Sequence, residues 1–288
     1  MTVTRTLFSL RVVSTLEIAQ RTWAEIREDD VFGRAAQLAY YFFLALFPFL
    51  ICVITSLSVF GRADRGRALL GGLFSRIFPA AAYQLIDKTF IEIIQSTGPL
   101  KMSFGIIFAL WSASMGMSAV MNTLNAAYKV KETRSLIKQY SIAIGLTFGL
   151  TLLTVVSLLI VVLGDQLVGY FSTGNFIAIV WKITQWPLVL AVLLLALAIT
   201  YHFAPDFKNR KWRWITPGSV TGVLLLVILS IGVRIYIRYS HGYSAVYGSL
   251  GAVIVLLVCF YLGGVAILSG GSLNGVLESL TAEKRVHR

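Results

Sequence analysis

Charged side chains are missing from six long stretches of this chain, at residues 36–60, 102–128, 139–164, 183–205, 214–233 and 239–277. A helix that crosses a bilayer needs about 20 mostly apolar residues, so each stretch predicts one spanning helix. In lipid the backbone must satisfy its own hydrogen bonds, and a helix does this within one segment. The pattern therefore predicts an all-α membrane protein, a bundle of six transmembrane helices. Between the first two, residues 61–99 carry too many charges to cross. Ile77, Ala81, Leu85, Ile86, Phe90, Ile93 and Ile94 recur there at helical spacing, and Asp87, Lys88 and Glu92 fall off that stripe. An amphipathic helical hairpin is expected, packed on the outer mouth of the bundle or dipping into the outer leaflet.

The flanks complete this organisation. Residues 14–34 read as a helix, with Leu16, Trp23, Ile26 and Val31 set among Glu17, Glu25, Glu28 and several arginines. The spacing allows one apolar face lying along the inner surface; an ordinary solvated helix before the first span fits equally well. No apolar signal-peptide core precedes residue 34, so the first span is expected to be retained. Pro48 inside that span predicts a kink, or a broken helix lining a path. The sixth stretch is too long for one upright span, and its 239–247 part reads as an outer connector. The expected division is 1–34 as a cytoplasmic amphipathic segment, 35–277 as the bundle with 61–99 as a periplasmic hairpin, and 278–288 as a cytoplasmic basic tail.

Composition agrees: 57% of residues are hydrophobic, against about 45–50% in a soluble domain. The net charge of +12 raises a nucleic-acid reading, which the positions of the charges argue against. With six spans and both termini inside, the inner segments hold Arg5, Arg11, Arg21, Arg27, Arg34, then Lys129, Lys131, Arg134, Lys138, then Lys208, Arg210, Lys211, Arg213, and finally Lys284, Arg285 and Arg288. Those are 16 of the 25 basic residues. Cytoplasmic loops carry such an excess, and anionic headgroups attract it. Membrane lipids are thus the expected partner, and no nucleic acid is. Cys52 and Cys259 both fall inside predicted spans and read as small packing residues.

Polar groups inside the spans are few. Ser114, Ser118, Asn122 and Asn125 share one face of the second span. They are either glue between helices or the wall of a cavity. Arg234 and Arg238, one turn apart at the end of the fifth span, either snorkel to headgroups or serve function at membrane depth. The last span carries Gly248, Gly251, Gly263, Gly264, Gly270, Gly271 and Gly275, which predict close helix packing. His202 and Asp206 stand four apart, but Pro205 intervenes and no third ligand is near, so no metal is expected. A P-loop, a Gly-x-Ser-x-Gly elbow and a carboxylate pair inside the spans are all missing. The sequence accordingly predicts neither a cofactor nor an enzyme.

Four collinear blocks resemble a known family. They are Ala35-Ala36-Gln37-Leu38-Ala39-Tyr40-Tyr41 through Pro48; Trp111 through Asn125 with Tyr128, Glu132 and Arg134; Ala204-Pro205 with Trp212-x-Trp214 and Pro217-Gly218; and Tyr247-Gly248-Ser249-Leu250-Gly251-Ala252. In this order they resemble the YihY/BrkB family of bacterial inner-membrane proteins, over roughly residues 15–280. That resemblance implies an inner-membrane location and a suggested role in envelope lipid transport. Ribonuclease and virulence-factor labels also attach to the family. RNA cleavage wants metal-bound carboxylates or a His-based acid–base pair, and this chain offers neither. The family's last span usually ends in a Gly-Ala-Glu-like motif followed by Asn. Here Gly270-Gly271-Ser272-Leu273-Asn274 puts Ser272 in place of the acid, which removes any role resting on it.

The expected function is moving, or helping to move, a lipid-like amphiphile across or out of the membrane for envelope biogenesis. An envelope or periplasmic lipid-transfer protein is the second expected partner. The rival expectation is a membrane scaffold that docks an envelope protein through residues 61–99. The candidate path joins Ser114, Ser118, Asn122, Asn125, Glu132, Arg134, Arg234, Arg238 and Asn274. Spans two and five are expected to flank it, with the glycine-rich sixth behind. The loop at Glu132 and Arg134 is expected to close the cytoplasmic end, with Arg134 gripping either an acid or a lipid phosphate through its planar fork.

Overall fold

The computed structural model describes residues 14–59, 84, 87, 88, 91, 99–171, 175–207, 215–239 and 243–286. Among them the order of helices is α1 (Thr15–Glu28), α2 (Val31–Val59), α3 (Pro99–Ala127), α4 (Leu136–Phe171), α5 (Asn175–Phe203), α6 (Pro217–Tyr239) and α7 (Tyr243–Val286). Each charge-free stretch falls on its own long helix, α2 to α7. Four of these carry apolar runs long enough to cross a membrane: Leu136–Thr154, Ile179–Phe203, Pro217–Tyr236 and Val253–Thr281. In α2 a shorter apolar run, Val31–Leu46, qualifies by composition. The expected hairpin lies outside the described residues apart from isolated positions.

The bundle is apolar on both sides. On α4, Tyr140, Ile144, Phe148, Leu152, Val156 and Ile160 are all exposed at every fourth position. On α6, Leu224, Ile228, Ile231 and Ile235 are exposed at spacings of three and four. Contiguous outward rows of this length suit lipid rather than water. The interior is built by Val31, Ala35 and Leu38 of α2, Met121 and Leu124 of α3, Tyr201 of α5 and Leu268 of α7.

α7 is the central helix, packed on α1, α2, α3 and α6. Its glycines allow the approach. A Cβ on Gly275 would stand 2.1 Å from the Ala127 carbonyl, and one on Gly218 of α6 would stand 2.0 Å from the Gly270 carbonyl. Both neighbours are backbone and cannot turn aside.

Two expectations change. Residues 14–34 are not one helix. Asp30 takes a left-handed φ of 49°, which breaks the chain between α1 and α2. Its carboxylate then accepts the Gly33 amide at 3.2 Å and caps α2. The break also splits the apolar residues: Ile26 and Val31 are buried, while Leu16 and Trp23 face outward. Second, α7 starts at Tyr243 and runs to Val286. Residues 243–247 are therefore helix rather than connector, and the basic tail continues the same helix.

Candidate functional site

The polar side chains gather at one end of the bundle, where α3 turns into α4. Lys129 adopts a left-handed φ of 54°, and the Val130 amide donates back to the Asn125 carbonyl at 2.9 Å. This ends α3 and throws the chain outward. Ser135 then opens α4, its carbonyl accepting the Gln139 amide at 2.9 Å. Of the residues between, Glu132, Thr133 and Arg134 are thereby aimed at the end of α5.

There they form a clasp. Arg134 Nε donates to Asp206 Oδ1 at 2.9 Å. Its Nη1 donates to the Ala204 carbonyl at 3.2 Å and its Nη2 to the Pro205 carbonyl at 2.5 Å. The other Asp206 oxygen accepts from the Thr133 amide at 2.8 Å and the Thr133 hydroxyl at 2.5 Å. Asn125 ties the third helix in. Its Nδ2 donates to Glu132 Oε2 at 2.7 Å, and its Oδ1 accepts the Asp206 amide at 2.8 Å. Glu132 Oε1 accepts the Arg134 amide at 3.1 Å. Only 8% of the Arg134 side chain and 12% of Asp206 remain exposed. The Thr133 hydroxyl above all, helped by the Thr133 amide and the Arg134 guanidinium, holds the Asp206 carboxyl below the ordinary aspartate range, against burial pulling it up.

A second polar knot lies at the same end. Asn274 Oδ1 accepts the Gly218 amide at 2.8 Å, and its Nδ2 donates to the Thr216 hydroxyl at 2.9 Å. Thr216 and Ser219 cap α6 reciprocally. The Ser219 amide donates to Thr216 Oγ1 at 3.1 Å and the Thr216 amide to Ser219 Oγ at 3.0 Å. Asn274 thus pins α7 to the start of α6. Ser272, where the resembled motif has an acid, is fully buried and donates to its own helix at the Leu268 carbonyl, 3.2 Å away.

The stripe on α3 does not share one environment. Ser114 and Asn125 are buried, Ser118 is half-buried and Asn122 is exposed. Asn122 accepts from Gln139 Nε2 at 2.9 Å across to α4. Arg234 is exposed near the other end of α6. It stands 16 residues past Gly218, roughly 24 Å along the axis at about 1.5 Å per residue. The Arg238 side chain lies outside the described residues. So Asn125, Glu132 and Arg134 meet, Asn274 is near their end of the bundle, and Arg234 is far from all of them. α7 packs on both α3 and α6, so the sixth span is their shared partner rather than a backing behind them.

Asp206, Thr133, Gln139 and Thr216 escaped the sequence reading. The sequence pairs Asp206 only with His202, whereas both its oxygens are taken by Thr133 and Arg134. The cue for Thr216 was present: Thr-Pro-Gly-Ser carries a cap, a proline at the first helical position and a Ser three on. Among the described residues no group of three His, Cys, Asp or Glu side chains converges.

A helical bundle that is apolar outside, with the ion pairs among its described residues at helix ends, defines a multi-pass membrane protein. The family model described as virulence factor BrkB matches residues 22–288, and the chain belongs to that family. A putative ribonuclease-like protein YfkH of Bacillus subtilis is 35% identical over 250 residues, covering 85% of this chain and 90% of the relative. A UPF0761 membrane protein of Xanthomonas oryzae is 26% identical over 278 residues, covering 95% of this chain. A counterpart in Xanthomonas axonopodis is similar to the same degree. The chain spans only 64% of the length of these Xanthomonas relatives. No solved structure matches the chain significantly.

Proposed function

We propose that the protein crosses a bacterial inner membrane six times, with both termini and the clasp in the cytoplasm, and moves or helps to move a lipid-like amphiphile for envelope biogenesis. One observation carries this reading. The amide pair Asn122–Gln139 opens to the surface at Asn122, directly beside the outward apolar row that begins at Tyr140 and Ile144. An amphiphile needs such a step, with neutral hydrogen-bond partners next to a surface that suits acyl chains. Half-buried Ser118 extends the polar side one turn deeper. Membrane lipids are the proposed substrate, and an envelope lipid-transfer protein the proposed recipient.

RNA cleavage has no support in this geometry. The acid of the clasp is engaged by Thr133 and Arg134, and Glu132 by Asn125 and the Arg134 amide. Neither is placed as a free base. The test is reconstitution in liposomes with a fluorescent phospholipid. The protein should speed exchange between leaflets, and a folded Asn122→Ala variant should lose most of that gain. An exchange rate equal to that of empty liposomes overturns the reading in favour of a scaffold.

A further inference from the structure

α1 has two sides. Ile26 is buried against the bundle, with Ile18, Thr22 and Glu25 half-buried beside it. On the other side Leu16 is 66% exposed and Trp23 53% exposed. Gln20 and Arg27 are exposed as well. At 3.6 residues per turn Leu16, Gln20, Trp23 and Arg27 fall on one face. A large indole and a leucine exposed together on one face can take an apolar occupant.

The neighbouring helix says which one. Trp23 meets Phe32 edge-on, with ring centroids 6.1 Å apart. Phe32 begins an outward row on α2 that continues through Ala36 to Tyr40, turned away from the face that buries Val31, Ala35 and Leu38. An outward row on the helix that carries the first apolar stretch suits lipid rather than water. Trp23 prolongs it at the helix end, the level at which indole rings settle between headgroups and chains. Charge agrees: Arg27 shares the face, and Lys131 and Lys138 are exposed on the loop and first turn at the same bundle end. α1 is also held in place. Arg21 pairs with Glu283 of α7 at 3.3 Å, and Glu25 pairs with Lys129 at 3.2 Å.

We propose that the outer face of α1 is a lipid-binding collar. Leu16 and Trp23 enter the headgroup layer of the leaflet at this end, and Arg27 binds the phosphodiester of an anionic phospholipid. This goes beyond the transport reading and stands whether or not the protein moves lipid.

The test uses the full chain with Cys52→Ser, Cys259→Ala and Gln20→Cys, labelled at the new cysteine with an environment-sensitive fluorophore. Position 20 is exposed, so the label leaves packing intact. The protein is reconstituted in vesicles of phosphatidylcholine alone or mixed equally with phosphatidylglycerol. The emission should be shifted to the blue, strongly quenched by lipids carrying a shallow nitroxide, and weakly quenched by aqueous iodide. Quenching by the nitroxide lipid should rise with phosphatidylglycerol, and Arg27→Gln should abolish that rise. Adding Leu16→Ser and Trp23→Ser should return the emission to that of a solvated dye. Strong iodide quenching without lipid quenching would overturn the proposal, as a bare aqueous face. Protection from both quenchers would overturn it too, since residues 1–13 or a second copy would then cover the face. Equal quenching with and without phosphatidylglycerol would overturn the anionic contact.

Discussion

Arg134 shows what a single residue type can do at a helix end. Its fork reaches a carboxylate and two carbonyls in three directions, and a lysine, as a point charge on a flexible stem, cannot hold all three. Arg134→Lys should therefore lower stability by about 1–2 kcal/mol, one or two net hydrogen bonds. Arg134→Ala leaves Asp206 without its cation and should cost about 3 kcal/mol. Thermal melts of the purified variants in detergent give both values, and an Arg134→Lys melt equal to wild type would refute the clasp. Asp206 adds a pH signature. Its carboxyl is held below its ordinary range, so its contribution is fully present above the unfolded value near about 3.9. That contribution is lost as pH falls through the lower folded value. The stability difference between wild type and Asp206→Asn should stay constant from neutral pH to about pH 4 and shrink only below it. The spacing of Asn122, Asn125, Glu132 and Arg134 was legible in the sequence. The partner of Arg134 was not, because Asp206 lies 72 residues further on and beside Pro205 looks like a plain helix end.

Among the elements, α6 and α7 carry the tightest joint. Gly218 and Gly270 bring two backbones together, and Asn274 spans the gap to cap α6. Glycine richness in the last span announced close packing, yet it could not say which glycines touch. Gly264, Gly270, Gly271 and Gly275 meet neighbours at short range, whereas Gly263 has only the tip of Leu226 at 3.9 Å. Periodicity also missed the break at Asp30, because a left-handed residue leaves no mark on an apolar stripe. The joint gives a paired prediction. Gly218→Ala places its Cβ against the Gly270 carbonyl, and overpacking of this kind costs about 1–3 kcal/mol. Gly145→Ala and Gly232→Ala meet nothing within 4 Å, so the gain in helix propensity should leave them unchanged or more stable by about 0.5–1 kcal/mol. Equal melts for all three variants would mean that α6 and α7 do not pack as closely as described. Asn274→Ala should cost about 1 kcal/mol through the lost cap, again read from the melt.

At the scale of the whole molecule, the connections fix which helix ends lie together even before a membrane is considered. The clasp joins the end of α3, the start of α4 and the end of α5. Gly275 against Ala127, and Asn274 against Gly218, add the last part of α7 and the start of α6 to that same end. The far end of α6, with Arg234 and Tyr239, must then stand on the opposite side. Six charge-free stretches in the sequence led to this alternation, since successive spans reverse direction. What the sequence could not supply was the set of side chains that lock the ends, because each lock joins residues distant in the chain. The proposed direction of the whole bundle rests on charge: Lys129, Lys131, Arg134 and Lys138 cluster at the clasp, and short loops with such an excess favour the cytoplasmic side. Ser135 and Tyr239 are both exposed, and single cysteines there, in a chain lacking Cys52 and Cys259, report the two sides. A membrane-impermeant maleimide added to spheroplasts should label the cysteine at Tyr239 and reach the one at Ser135 only after lysis. Labelling of Ser135 alone would invert the bundle in the membrane while keeping its architecture. Labelling of both positions in intact spheroplasts would put the start of α4 and the end of α6 on one side, which no helix bundle with this clasp and this joint can do.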